Sequence, residues 1–173
     1  MSPALHPDLE PLTFLLGTWA GTGDGAYPTI ADFAYGEQIT MAHTGAPFLS
    51  YMQRTWSLAD NRPLHAETGY LRTSRTGTGW RVQLVVAQPT GIVEVDEGVL
   101  ARALKDGRSC ESIVLASTTV ARTSTAKDVT AVRRAWEVCG DVMSERLEMA
   151  AVGQPLQLHL EARLTRQDHD NDR

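Results

Sequence analysis

The sequence predicts an all-β fold, a closed antiparallel barrel of about ten strands behind one short helix. Three observations carry this reading. From Phe33 onward the apolar residues recur with a period of two, the spacing of a strand with one buried face. The runs are short and are separated by clusters of Gly, Pro, Asn and Asp. One break, Lys105-Asp106-Gly107, is a strong hairpin signal, because Asp-Gly supplies the positive φ that a tight turn requires. Many short strands joined this way form a barrel or a sandwich.

The elements follow in order. Pro7 and Asp8 precede Leu9, Leu12, Leu15 and Leu16, a helix-like spacing that stops at Gly17. Pro11 keeps that helix short or irregular. Four glycines fall within residues 17–25, which rules out a regular helix and allows a bent or bulged strand. Phe33, Tyr35, Ile39 and Met41 share one parity, and His43-Thr44-Gly45 closes their run. Phe48, Met52, Trp56 and Leu58 share another, ending at residues 59–63. LHAETGYLRT and WRVQLVVAQ flank a turn at 74–79, and Pro89-Thr90-Gly91 introduces IVEVDEGVL.

Beyond the Asp-Gly turn come SIVLAST, VTAVRRAWEVC, VMSERLEMAAV and LQLHLEARLTR, with turns at Gly140-Asp141 and Gly153-Gln154-Pro155. RRAWEV and MSERLEMAAV contain good helix formers, but Gly and Pro turns bound them and their neighbours are hairpins, so strands are expected. The domain division is a lead-in at 1–8, one barrel domain at 9–166 and a polar, disordered tail at 167–173.

Composition narrows the partners. With 173 residues the chain can bury a core without metals or disulfides. A net charge of −5 and the lack of a basic block exclude a general nucleic-acid binder and a partner of anionic membranes. No apolar run approaches the roughly 20 residues that span a bilayer, and MSPALHPDLEP carries no signal-peptide pattern. The expected setting is the cytoplasm, with Cys110 and Cys139 as two reduced, partly buried thiols. The scattered histidines form no zinc-ligand pattern.

A barrel of this size encloses one small ligand, with a few polar side chains to fix it. The generic reading is therefore a carrier of an apolar small molecule. Nucleophile-elbow, phosphate-loop and zinc-protease motifs are missing. Glu94 and Asp96 share a strand face and read as a solvated surface rather than an acid–base pair. His159 shares parity with Gln157, Glu161, Arg163 and Thr165, whereas Leu156, Leu158, Leu160, Ala162 and Leu164 take the other. Read from the residues, it lies on the solvent face, or else the polar parity faces a lumen and the leucines face outward under the N-terminal segment or a second chain.

Five segments, in order, resemble the nitrobindin family: GTWAGTG, YPTIADFAYGEQI, PLHAETGYLR, AQPTGIVEVDEG and LHLEARLTR. The likeness covers residues 9–166. It implies a calycin-like barrel that holds haem b through a proximal histidine on the last strand, which places His159 as the axial iron ligand. Thr29 then matches a haem-contacting threonine, Lys127 a lysine near the haem and His65 a histidine on the distal side. Read from the residues instead, Thr29 caps a turn, Lys127 is a solvated loop lysine and His65 marks a strand entry. The family is known to bind nitric oxide and to isomerise peroxynitrite to nitrate in the ferric state. A nitric oxide carrier or sensor and a haem-free apolar carrier are the alternatives. A homodimer would cover outward-facing leucines.

Overall fold

A computed structural model describes residues 3–167. They form a closed barrel of ten antiparallel strands, each paired with the next in sequence and the first closing on the last. The strands are β1 (Gly17–Tyr27), β2 (Ile30–His43), β3 (Leu49–Ser57), β4 (Pro63–Thr76) and β5 (Gly79–Gln88). They continue as β6 (Ile92–Lys105), β7 (Arg108–Arg122), β8 (Val129–Cys139), β9 (Val142–Ala151) and β10 (Gln157–Gln167). Both ambiguous segments, in β8 and β9, are strands. Asp106 and Gly107 have φ of 50° and 76°, so the Asp-Gly hairpin turns as its chemistry predicts. The expected polar tail begins at Gln167, which closes β10; its remaining residues, and residues 1–2, lie outside the described part.

The N-terminal helix is a 3-10 helix, Pro7–Leu15. Its leucines explain why. Leu9, Leu12 and Leu15 are three apart, and three residues per turn stack them on one side, where all are buried. Pro11 lacks the N–H an α-helix would need. Trp19 Nε1 donates to Leu15 O at 2.9 Å, and the Arg166 guanidinium lies 4.1 Å from the Trp19 ring centroid while donating to Phe14 O at 3.0 Å. The helix is thereby fastened across one end of the barrel. Among the described residues, no helix is long and apolar enough to cross a membrane.

Strict up-and-down order puts the β1–β2, β3–β4, β5–β6, β7–β8 and β9–β10 connections at the opposite, open rim. The interior is layered from that rim to the closed end. Along β8, Val132 belongs to an apolar rim cluster, Arg134 to a polar belt, and Trp136 and Val138 to the main core. β9 repeats the order with Ala151, Glu145 and Met143. β6 begins it with Ile92, then Glu94 and Asp96.

Three sequence readings are corrected here. Glu94 and Asp96 are not on a solvated face: each is 1% exposed, in the belt. On β3 the apolar parity faces outward, with Met52 61% exposed, while Leu49, Tyr51, Gln53 and Thr55 point in; the belt's demand for polar partners selects that face. Cys110 and Cys139 are directly opposed on β7 and β8 with Cα atoms 4.4 Å apart, and they form a disulfide rather than two thiols. Separation along the chain hid their cross-strand register.

Candidate functional site

The rim gathers the residues singled out in the sequence. His159 starts β10, His65 starts β4, Thr29 sits in the exposed β1–β2 turn and Lys127 in the exposed β7–β8 loop. His65 and Lys127 are close enough for their charges to act on His159. Thr29 shares the rim, on the turn that follows Tyr27.

A bulge sets the direction of His159. β10 pairs Leu158 with Glu148 and Leu160 with Leu147, leaving His159 as the extra residue. An extra residue breaks the alternation of faces. Below it, Ala162 and Leu164 point into the barrel and Glu161 points out, where Arg146 Nη1 meets its carboxylate at 3.0 Å. Above it, His159 turns toward the aromatic rim although its parity matches Glu161. The expectation that Gln157, His159 and Glu161 face a lumen while Leu158 and Leu160 face out is therefore corrected. Leu160 packs on the core. Leu158, 38% exposed, lines the cavity beside His159, so these leucines do not call for a second chain.

The imidazole is held by its surroundings. Its Nδ1 lies 3.1 Å from Ala26 O, and because a carbonyl only accepts, Nδ1 carries the proton. That leaves Nε2 with its lone pair free for a ligand. The Tyr27 ring meets the imidazole edge-on at 5.2 Å between centroids, and the Phe33 ring stands at 6.4 Å. Tyr27 is fixed in turn, its hydroxyl accepting from Ala151 N at 2.9 Å and lying 3.1 Å from Met149 O. Burial pushes the His159 pKa down against the Ala26 hydrogen bond, with help from His65 and Lys127, so the ring is kept neutral. A cavity of about 490 Å³, open on one side, adjoins it; Gly25, Ala26, Phe33 and Leu158 line it together with three carboxylates, Asp24, Asp32 and Glu161. Gly25 is needed there: an added Cβ would fall 2.3 Å from Phe33 Cζ.

Tyr27, Phe33, the Ala26 carbonyl and the Gly25 cradle were missed by sequence reasoning. The signal was present in the glycine-rich β1, whose missing side chains leave room for rings from β2.

Beneath the rim lies a belt in which, among the described residues, Arg134, 0% exposed, is the only buried cation beside five buried carboxyls: Glu37, Glu67, Glu94, Asp96 and Glu145. Arg134 Nη1 donates to Glu67 Oε1 at 2.6 Å, Nη2 stands 3.5 Å from Glu94 Oε2 and Nη1 3.6 Å from Glu145 Oε1. Tyr51 Oη donates to Glu67 Oε1 at 2.6 Å, and His65 Nε2 stands 3.7 Å from Glu67 Oε2. Burial would raise the Glu67 pKa, but Arg134, His65 and Tyr51 override it and hold the carboxyl at about 2. The other four are pushed up by burial, Asp96 to about 7. Glu145 raises Glu37 further, while the hydrogen bond from Glu37 draws Glu145 down, as when two carboxyls share one proton. One ion pair, Glu67–Arg134, thus sits among acids that burial biases toward the protonated form.

A closed barrel that presents one neutral imidazole beside an open cavity of mixed apolar and acidic lining falls in the class of small ligand-holding β-barrels. The model of the THAP4-like, heme-binding beta-barrel domain matches residues 8–166, and the chain belongs to that haem-binding family. It is 49% identical over 166 residues to "Peroxynitrite isomerase 2" of Mycobacterium marinum, covering 96% of this chain and 99% of the relative. "Peroxynitrite isomerase" of Nocardia farcinica is 51% identical over 165 residues, covering 95% and 94%. The crystal structure of Rv2717c from M. tuberculosis superposes with a TM-score of 0.86 at 46% identity, covering 95% of this chain and 99% of that one.

Proposed function

We propose that this chain holds haem b with His159 as the axial iron ligand and isomerises peroxynitrite to nitrate. The observation that carries the reading is the His159 imidazole: Nδ1 is committed to Ala26 O, the ring is desolvated and neutral, and Nε2 is left to donate. Histidine ligands to metals are commonly oriented this way, through a hydrogen bond from the second nitrogen. The names of the relatives from M. marinum and N. farcinica support the choice of reaction.

Bound haem supplies the redox-active iron at which peroxynitrite rearranges. The chain supplies the setting. Tyr27 and Phe33 fix the imidazole and keep water from it, and Leu158 adds an apolar wall. Lys127, exposed at the rim, is placed to meet a propionate, and Thr29 is a further contact on the β1–β2 turn. His65, whose charge reaches His159, is our candidate for the distal side. Nitric oxide is a second ligand of the same iron, and the cytoplasm is the setting in which we expect the protein to meet both.

The belt weighs against a fatty-acid carrier. A carboxylate head group would add a sixth buried acid around one arginine already engaged by Glu67, and an unpaired buried charge is costly. Stopped-flow decay of peroxynitrite with the haem-reconstituted protein tests the proposal. Accelerated decay with nitrate as the product is expected. Nitric oxide binding without acceleration would favour a sensor, and no haem uptake would favour the apolar carrier.

A further inference from the structure

The seam between β7 and β8 does not run the height of the barrel. The strands pair from Cys110↔Cys139 to Ala116↔Arg133 and then part. Above that point residues 117–122 stay bonded to β6 and residues 129–132 to β9. Each strand carries a bulge just beyond the parting. Thr118 is the extra residue opposite Val95 and Asp96, and Thr130 the extra residue opposite Ala150 and Ala151. A bulge bends its strand and increases its twist, so two at one height turn the strands away from each other.

The loop ends are tied sideways as well. Thr123 N donates to Gly91 O on the β5–β6 turn at 2.9 Å, and Val152 N on the β9–β10 turn donates to Asp128 O at 2.7 Å. Among the described residues two links cross the gap. Ser117 Oγ accepts from Val132 N at 3.0 Å, and Arg122 pairs with Asp128. A single neutral hydrogen bond and a part-exposed ion pair open at small cost. Directly behind the gap is the apolar rim cluster, with Ile92 and Val120 on one side and Val129, Val132 and Ala151 on the other. At the closed end the Cys110–Cys139 disulfide clamps the same seam.

We propose that this seam is the slot through which haem enters and leaves the barrel, hinged at Cys110–Cys139 and latched by Ser117 and the Arg122–Asp128 pair. The proposal rests on the reading that haem binds beside His159. At roughly 3.3 Å per residue, residues 117–122 cover about 16 Å on one side of the gap and residues 129–132 about 10 Å on the other, room for the edge of a flat macrocycle. Apolar side chains behind the gap receive it without exposing a belt carboxyl, and the hinge confines opening to the rim half.

The test is the rate of haem transfer from the holoprotein to excess apomyoglobin, followed by absorption. Arg122→Cys with Asp128→Cys replaces the exposed latch by a reducible covalent one. Oxidised, this variant should release haem about tenfold more slowly than when reduced with dithiothreitol. Ala87→Cys with Val93→Cys, on a seam already paired at that height, should show no such difference, which also accounts for reduction of the native disulfide. Ser117→Ala removes the other latch and should release haem about fivefold faster than wild type. Equal rates in the oxidised and reduced latch variant, or in Ser117→Ala and wild type, while wild type exchanges haem, would overturn the slot and leave the haem reading standing. A wild type that takes up no haem would overturn the haem reading, and the slot with it.

Discussion

The closed end and the open rim of this barrel are built from the same strands and have opposite characters. At the closed end Leu9, Leu12 and Leu15 of the 3-10 helix, with Trp19, Trp136 and Leu164, are packed to complete burial or nearly so. Hydrogen bonds from Trp19 and Arg166 fasten the helix there. Toward the rim, pairing of β1 with β10 stops at Gly25 and pairing of β7 with β8 stops at Ala116, and side chains project into an open cavity. Burial is concentrated at the closed end, and at the other end Nε2 of His159 is left without a protein hydrogen-bond partner among the described residues. The Arg134 belt separates the two.

Substitutions at the two ends should therefore separate stability from haem binding. The largest loss is expected in the belt. Arg134→Met leaves Glu67 ionised and buried without its cation and should cost about 3–5 kcal/mol in urea unfolding. Leu12→Ala at the closed end should cost about 2–5 kcal/mol, with the haem absorption spectrum unchanged. A rim substitution that matched either loss would break the division between the ends. Replacing Cys110 and Cys139 together by serine should cost about 2–4 kcal/mol, read against the same denaturant, and should also leave the spectrum intact.

The smallest effect sharpens the role of the belt. Asp96, Glu37, Glu94 and Glu145 are held above their ordinary values, Asp96 at about 7, so the folded barrel keeps protons that the unfolded chain gives up. Their contribution is fully present below the ordinary carboxylate range and is lost as pH rises through each raised value, for Asp96 through about 7. Glu67 works in the other direction: its contribution is present above 4.5 and is lost as pH falls toward about 2. Thermal unfolding should accordingly show highest Tm in mild acid and a decline toward pH 8. A Tm that climbs steadily from pH 5 to pH 8 would show that the belt acids are ionised in the folded barrel.

The sequence made the barrel legible because hairpin chemistry is local. Asp106-Gly107 and Gly140-Asp141 announce their turns, and the inward row of Phe33, Tyr35, Ile39 and Met41 is a true core face. What it concealed were long-range features. The bulge at His159 exists only in relation to β9, so the parity could not show that His159 turns to the rim while Glu161 stays outside. The lumen reading of the polar parity therefore gave the wrong orientation for Leu160 and Glu161. Glu94 and Asp96 read as solvated because their balancing cation stands on β8, about forty residues away, where nothing local distinguishes inward Arg134 from outward Arg133. The leucines at 9, 12 and 15 carried a three-residue period, and that spacing already favoured a 3-10 helix over an α-helix.

The role of His159 is tested most directly by the absorption spectrum of haem-reconstituted His159→Leu. A leucine leaves no unpaired charge at the rim, and the closed end that stabilises the barrel is untouched, so the variant should fold with wild-type Tm. The account predicts that the histidine-ligated ferric spectrum is lost, together with peroxynitrite turnover, while any haem that still partitions into the barrel stays without an axial imidazole. His65→Leu should retain the ligated spectrum. If His159→Leu kept the spectrum and His65→Leu lost it, the imidazole anchored on Ala26 would not be the iron ligand.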